Sequence, residues 1–294
     1  MIKLIASDVD GTLLDDEGQL SIKTREVILE AEKQGIQFIL CSGRSYFEIS
    51  ILLEEFGFDV SAICLNGADL RDISGEDLKT HFIENRYVDL IHNIALERNY
   101  LLEFHCQNQT YLTCSKTQLY QVFKNYENKN NEFAEQQLID KFNMFWRYSD
   151  DTYNCSIDKI KEKKVVKLEF IYLPDEDYDD FYEYLTHYDL NVTSGFSFNN
   201  IELNNKKATK GDMLRDYCEL KKIDKQDVVV IGDSYNDISM FELFENSVAV
   251  ENATPELKLL AKYRTVSNNE QGVADVIQKI IKYNHDEEIS LLTS

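Results

Sequence analysis

Short unbroken apolar runs recur along the first third of the chain, with amphipathic stretches between them. IKLIASD (2–8), IQFILCSG (36–43) and SAICLNG (61–67) have the length and β-branched content of buried strands. IKTREVILEAEKQG (22–35) repeats its apolar positions at helical spacing and is closed by Gly35, and a second helix is predicted from Tyr46 to Phe56. Strands apolar on both faces that alternate with helices are the pattern of parallel βαβ units. The pattern returns late in the chain. A helix is predicted over 209–222, the run DVVVIGD (227–233) as a strand, a helix over 236–244, and SVAVEN (247–252) as a short strand. Thr254 then caps a helix that Pro255 opens, and a last helix is predicted near 272–283.

Between these regions the pattern differs. YLLEFHC (100–106) and TYLTC (110–114) read as strands paired across a short polar turn, followed by a helix near 115–127 and a polar loop over 125–133. VVKLEFIYL (165–173) is a strand stopped by Pro174, 175–188 an acidic helix, and 191–203 has room for one or two more strands. Strand pairs mixed with helices define a separate α+β domain. The expected fold is therefore α/β, with a Rossmann-like parallel-sheet core over 1–82 and 200–294 and an inserted domain over 83–199. A polar tail, 283–294, is expected to be mobile.

Composition narrows the partners. The 294 residues carry 31 Lys and Arg against 53 Asp and Glu, a formal charge of −22. Nucleic-acid binders carry a basic footprint, so this balance argues against DNA or RNA, and equally against an anionic membrane surface. No run reaches the ~18 apolar residues of a membrane span. An aspartate at position 8 interrupts any signal-peptide core, so a cytoplasmic protein is expected. The six cysteines are scattered without a C-x-x-C pair, which fits neither a disulfide framework nor a zinc site.

Against this background Asp8-Val9-Asp10-Gly11-Thr12 is unusual. It ends a buried strand with two carboxylates two residues apart, on one face. Two such charges about 4 Å apart repel by about 4 kcal/mol at an effective dielectric near 20. Open parallel sheets bind ligands beyond the carboxyl ends of their strands, so these side chains suit a metal ligand or a nucleophile; an aspartate-rich turn is the alternative. Ile231-Gly232-Asp233-Ser234-Tyr235-Asn236-Asp237 repeats the arrangement at a second strand end. Its Asp233 and Asp237 are hard oxygen donors suited to Mg²⁺, or else part of a helix cap. Ser42-Gly43-Arg44 closes the second strand and opens a helix, as an anion cradle or an ordinary cap. Thr209 and Asp212 have capping-box spacing, which puts Lys210 on a helix's first turn. A cation there opposes the helix dipole, so either an anion lies beside it or it is simply exposed.

The order of these four segments closely resembles the haloacid dehalogenase superfamily, and within it the Cof-type phosphatases. Asn66-Gly67-Ala68, Asn252-Ala253 and Gly272-Val273-Ala274 match further motifs of that group, although Glu251 stands where it usually has Gly. The resemblance covers both core segments, and the insert matches the family's large α/β cap in position and general make-up. It implies a Mg²⁺-dependent phosphatase of small phosphorylated metabolites that works through an aspartyl-phosphate. In that reading Asp8 is the nucleophile and Asp10 the general acid and base. The metal is held by Asp8, the Asp10 backbone carbonyl and Asp233, with Asp237 as a ligand or close beside one. Ser42, Gly43, Lys210, Asn236 and Thr12 bind the phosphoryl group. Arg44 and Asn66 are candidate substrate contacts, Arg44 alternatively forming a structural ion pair. The insert would act as a lid and select a small phosphate ester, in a monomer or homodimer. A phosphomutase with the same intermediate, or a silent binding protein on the same fold, are the alternatives.

Overall fold

A computed structural model describes residues 1–285 apart from 108, 130–132, 147 and 195–198, so most of the polar tail lies outside the described residues. The strands are β1 (Leu4–Ser7), β2 (Gln37–Cys41), β3 (Ser61–Cys64), β4 (Asp69–Arg71), β5 (Asp77–Thr80), β6 (Leu101–Cys106), β7 (Thr110–Leu112), β8 (Val165–Ile171), β9 (Leu190–Ser194), β10 (Ile201–Asn205), β11 (Val228–Gly232), β12 (Asn246–Ala249) and β13 (Tyr263–Arg264). The chain divides into two compact units, Met1–His81 with Lys207 onward, and Phe82–Lys206. Among the described residues no helix is long and apolar enough to cross a membrane.

The first unit is built on one sheet in the order β13-β12-β11-β1-β2-β3-β4-β5. Its strands from β13 to β3 run parallel, and β4 and β5 extend one edge antiparallel. Leu4, Ile5 and Ala6 of β1 and Val228 to Ile231 of β11 are fully buried, as continuous apolar strands covered on both faces should be. β1 lies between β2 and β11, so the chain order reverses across it and opens a crevice at the strands' carboxyl ends. The run 61–67 does not stay extended to its end. β3 stops at Cys64, and Leu65 and Asn66 take left-handed conformations (φ 50° and 59°) in a tight turn.

The second unit holds an antiparallel sheet, β7-β6-β8-β10-β9. Leu102 and Phe104 of β6, Leu168 and Phe170 of β8, and Ile201 and Leu203 of β10 form one apolar face with residues of the helices Asn85–Arg98 and Tyr178–Thr186. Alternation sends Glu103, His105, Lys167, Glu169 and Glu202 to the other face. Three helices here, Asn85–Arg98, Glu135–Phe145 and Ile157–Glu162, are not anticipated by the sequence reading. The first two begin at Glu84 and Ala134, whose side chains make no cap hydrogen bond, so the usual start signal is absent. The expected core began again at 200, but β10 pairs with β8 and β9, and the division falls after Lys206.

Candidate active site

Three neighbouring parallel strands end together. Asp8 follows β1, Ser42 follows β2 and Asp233 follows β11, which sets residues far apart in sequence around one crevice. Asp8 is buried, and its backbone N–H donates to the Ile231 carbonyl (3.0 Å), tying the two strand ends together. Gly11 turns the chain with φ 74°, and a Cβ there would stand 2.7 Å from Asp233 Oδ2. Glycine therefore lets the Asp233 carboxylate approach the backbone after Asp10.

Lys210 opens the helix Lys210–Lys221, capped by Thr209, whose Oγ1 accepts from the Asp212 N–H (3.0 Å). Its side chain is fully buried, and Nζ donates to Asp8 Oδ1 and to Asp237 Oδ1, both at 2.7 Å. The unfavourable cation on the first turn thus has carboxylate partners and is not an exposed side chain. Gly67 (φ 99°) allows this helix start to sit close, since a Cβ there would lie 2.2 Å from the Thr209 carbonyl oxygen.

Asp237 is fully buried, and its Oδ2 accepts from the N–H groups of Asp233 (3.0 Å) and Ser234 (3.1 Å). With Oδ1 on Lys210, both of its oxygens are engaged. Asp233 Oδ1 accepts from the Thr12 hydroxyl (3.0 Å), and its carboxyl group also meets that of Asp8. Oxygens of Asp8, Asp233 and Asp237 all lie within 4.8 Å of one another. Burial, and then the Asp237 charge, push Asp233 up to about 6. Burial raises Asp8 well above the usual carboxylate range, with Asp237 and Asp233 adding to the rise and Lys210 opposing it. Burial opposes the charge on Lys210, but Asp237 and Asp8 outweigh it and raise its pKa. One ammonium therefore leaves excess negative charge out of water, and hard oxygen donors of this kind fit a divalent cation. Asp8 and Asp233 are the better placed to hold one, because both oxygens of Asp237 are engaged, by Lys210 and by two backbone N–H groups, whereas Asp8 gives Lys210 one oxygen.

The Asp10 carboxylate is not part of this group. Its carboxylate is forked by Arg44, with Nε to Oδ2 at 2.8 Å and Nη2 to Oδ1 at 2.6 Å. The Arg44 N–H donates to Ser42 Oγ (3.1 Å), and Ser42 is buried. Asn66 is buried beside it: its N–H donates to the Ser42 carbonyl (3.0 Å), and its Oδ1 accepts from Asn236 Nδ2 (3.2 Å). A Cβ at Gly43 would stand 3.0 Å from that Oδ1, which explains the glycine between Ser42 and Arg44. Asn236 Oδ1 is buried without a hydrogen-bond partner among the described residues. Asn252 donates Nδ2 to the Gly11 carbonyl (2.7 Å) and accepts the Asn268 N–H (3.0 Å), holding the turn after Asp10. The Asn252-Ala253 motif was legible, but this bond was not. Glu251 is exposed and pairs with Lys258 at 3.5 Å.

Buried aspartates and a lysine at the carboxyl edge of a parallel α/β sheet make this crevice the candidate active site. The family model for haloacid dehalogenase-like hydrolases matches residues 5–277, and the chain belongs to that family. Among curated relatives, "Phosphatase YwpJ" of Bacillus subtilis is 27% identical over 286 residues, 95% of this chain and 100% of that one. "5-amino-6-(5-phospho-D-ribitylamino)uracil phosphatase YwtE", from the same organism, is 27% identical over 95% of this chain and 98% of its own. A solved haloacid dehalogenase-like hydrolase from B. subtilis superposes with a TM-score of 0.78 at 26% identity, covering 94% of this chain and 99% of the other.

Proposed function

We propose that this protein is a Mg²⁺-dependent phosphatase of small phosphorylated metabolites, with Asp8 as nucleophile. The observation that carries this reading is the buried Asp8 at the end of β1, held by Lys210 at 2.7 Å within reach of Asp233. An Asp8 oxygen attacks phosphorus, the bond to the leaving oxygen breaks, and that oxygen takes a proton from Asp10 and departs as an alcohol. Asp10 then accepts a proton from water as the water oxygen bonds to phosphorus and the bond to Asp8 breaks, releasing phosphate. Lys210 fixes the attacking carboxylate and offers its charge to the phosphoryl oxygens, joined by Ser42, the Gly43 backbone, Asn236 and Thr12 around the same crevice. Bound Mg²⁺, held by Asp8 and Asp233, would neutralise charge developing on the transferred group.

Three of the similar curated proteins are named as 5-amino-6-(5-phospho-D-ribitylamino)uracil phosphatases, so that compound is the first substrate to test, within a wider panel of sugar phosphates. Asp8→Asn is expected to abolish turnover of p-nitrophenyl phosphate and of whichever metabolite is hydrolysed. Magnesium-dependent turnover retained by the pure variant would sink the reading. Phosphate transferred to an added sugar, instead of released, would point to a mutase.

A further inference from the structure

We propose that Arg44 is a positioning residue that sets the plane of the Asp10 carboxylate for protonation of the leaving group. The proposal rests on the phosphatase reading above. Asp10 stands in a turn, between the fully buried Val9 and a glycine at φ 74°. Nothing in that backbone alone dictates where its half-exposed carboxylate points. Among the described residues, its side-chain hydrogen bonds are the two from Arg44, one to each oxygen (2.8 and 2.6 Å). Such a fork fixes both the direction and the plane of a carboxylate, which a single donor cannot do.

Arg44 is itself held on both sides. Its N–H is on Ser42 Oγ, and the next residue, Ser45, caps the helix Tyr46–Phe56 in a reciprocal box with Glu48. The guanidinium therefore reaches Asp10 from a rigid strand-to-helix junction. Proton transfer uses one carboxylate oxygen at a time. Each carboxylate oxygen has two lone pairs, so the oxygen that carries the proton keeps its Arg44 bond and the fork holds the plane throughout.

The test compares kcat/KM, which ends at leaving-group departure, for aryl phosphates of rising leaving-group basicity from p-nitrophenyl to phenyl phosphate. p-Nitrophenolate leaves without a proton, whereas phenolate benefits from one. A general acid is worth about 10²–10⁴-fold, so Arg44→Met should lose roughly 10-fold or more on phenyl phosphate beyond its loss on p-nitrophenyl phosphate. Arg44→Lys should show a smaller selective loss, because one donor remains. Asp10→Asn should show the selective loss in full, and Arg44→Met added to it should deepen it no further. Equal losses across the series, a rise in KM alone, or an Arg44→Met effect that persists undiminished on Asp10→Asn would each overturn the proposal. Thermal melts of all variants separate misfolding from this pattern, and Arg44→Lys carries the test if Arg44→Met does not fold. An inactive Asp8→Asn beside equal Arg44 losses would sink this inference alone; an active Asp8→Asn would sink the function itself.

Discussion

In the parallel unit Lys210 is buried with its Nζ 2.7 Å from Asp8 and from Asp237; in the antiparallel unit Lys167 is buried with its Nζ 2.6 Å from Glu169 and 2.8 Å from Glu202. The two clusters part at their remaining carboxylate. In the antiparallel unit Glu103 and Glu169 share His105, whose Nε2 is 3.5 Å from Glu103 Oε2 and 3.1 Å from Glu169 Oε2. Burial and Lys167 oppose a proton on that ring, but the two glutamates outweigh them and push it up to about 9. In the parallel unit the remaining carboxylate, Asp233, has a threonine hydroxyl where Glu103 has a cation. Both clusters have three ligand atoms close enough for a metal. Protonated His105 and Lys167 fill that role in one, and the other keeps charge that calls for a cation. On the proposed reading, the cluster that nearly balances itself is architecture and the one that does not is the site.

The strongest way to break this comparison is to remove each lysine in turn. Stripping one partner from a buried ion pair costs about 3–5 kcal/mol, because the other charge stays behind. Lys210→Met and Lys167→Met should both lose stability of that order in urea denaturation. Added MgCl₂ should recover part of the deficit for Lys210→Met, by supplying a cation between Asp8 and Asp233, and none for Lys167→Met. Lys210→Met should also lose nearly all turnover. Equal recovery of both variants would show that the two clusters do not differ as argued.

The two clusters were not equally legible. Asp8, Asp233 and Lys210 sit in segments whose order along the chain carries the family resemblance; the apolar runs before the two aspartates marked the strand ends, and the Thr209–Asp212 spacing marked the helix start at Lys210. Asp237 was legible as a donor, but its two backbone N–H partners were not, since they depend on how the turn 233–237 closes. Arg44 was open between two roles because its partner lies 34 residues away on another loop. The second cluster was hidden for a different reason. Alternation in LEFHC and VKLEF is the ordinary sign of a half-exposed strand, and it gives no sign that Glu103, His105, Lys167 and Glu169 meet in a buried group. Only the register that sets Glu103 opposite Glu169, and Glu169 opposite Glu202, gathers them into a buried group.

The next effect is a pH dependence that only the antiparallel cluster should produce through a histidine. His105 faces Glu103 on its own strand, Lys167 and Glu169 on β8, and the Thr110 hydroxyl of β7. Its folded pKa is raised from about 6.5 in the unfolded chain to about 9. The folded state therefore binds the proton more tightly. The stabilisation is fully present below about pH 6.5 and is lost as pH rises through about 9, amounting to about 3 kcal/mol. His105→Gln should flatten unfolding free energy over that window while leaving the rest of the pH profile in place. A wild-type curve already flat there would mean that His105 is neutral in the fold.

The smallest effect concerns how each lysine is delivered. Lys167 lies on β8, whose backbone is paired on both sides, by β6 and β10. Lys210 lies on the first turn of a helix, a position that the helix dipole disfavours and that the Thr209 cap must fix. Thr209→Ala removes the acceptor for the Asp212 N–H and should cost about 1 kcal/mol of stability. Because fraying at that end shifts Lys210 away from Asp8, turnover should fall by more than the stability change alone predicts at temperatures well below the melt. Thr209→Ser keeps the oxygen and should restore both. If Thr209→Ala weakened the fold but left turnover untouched, the placement of Lys210 would be the work of Asp8 and Asp237, not of the cap.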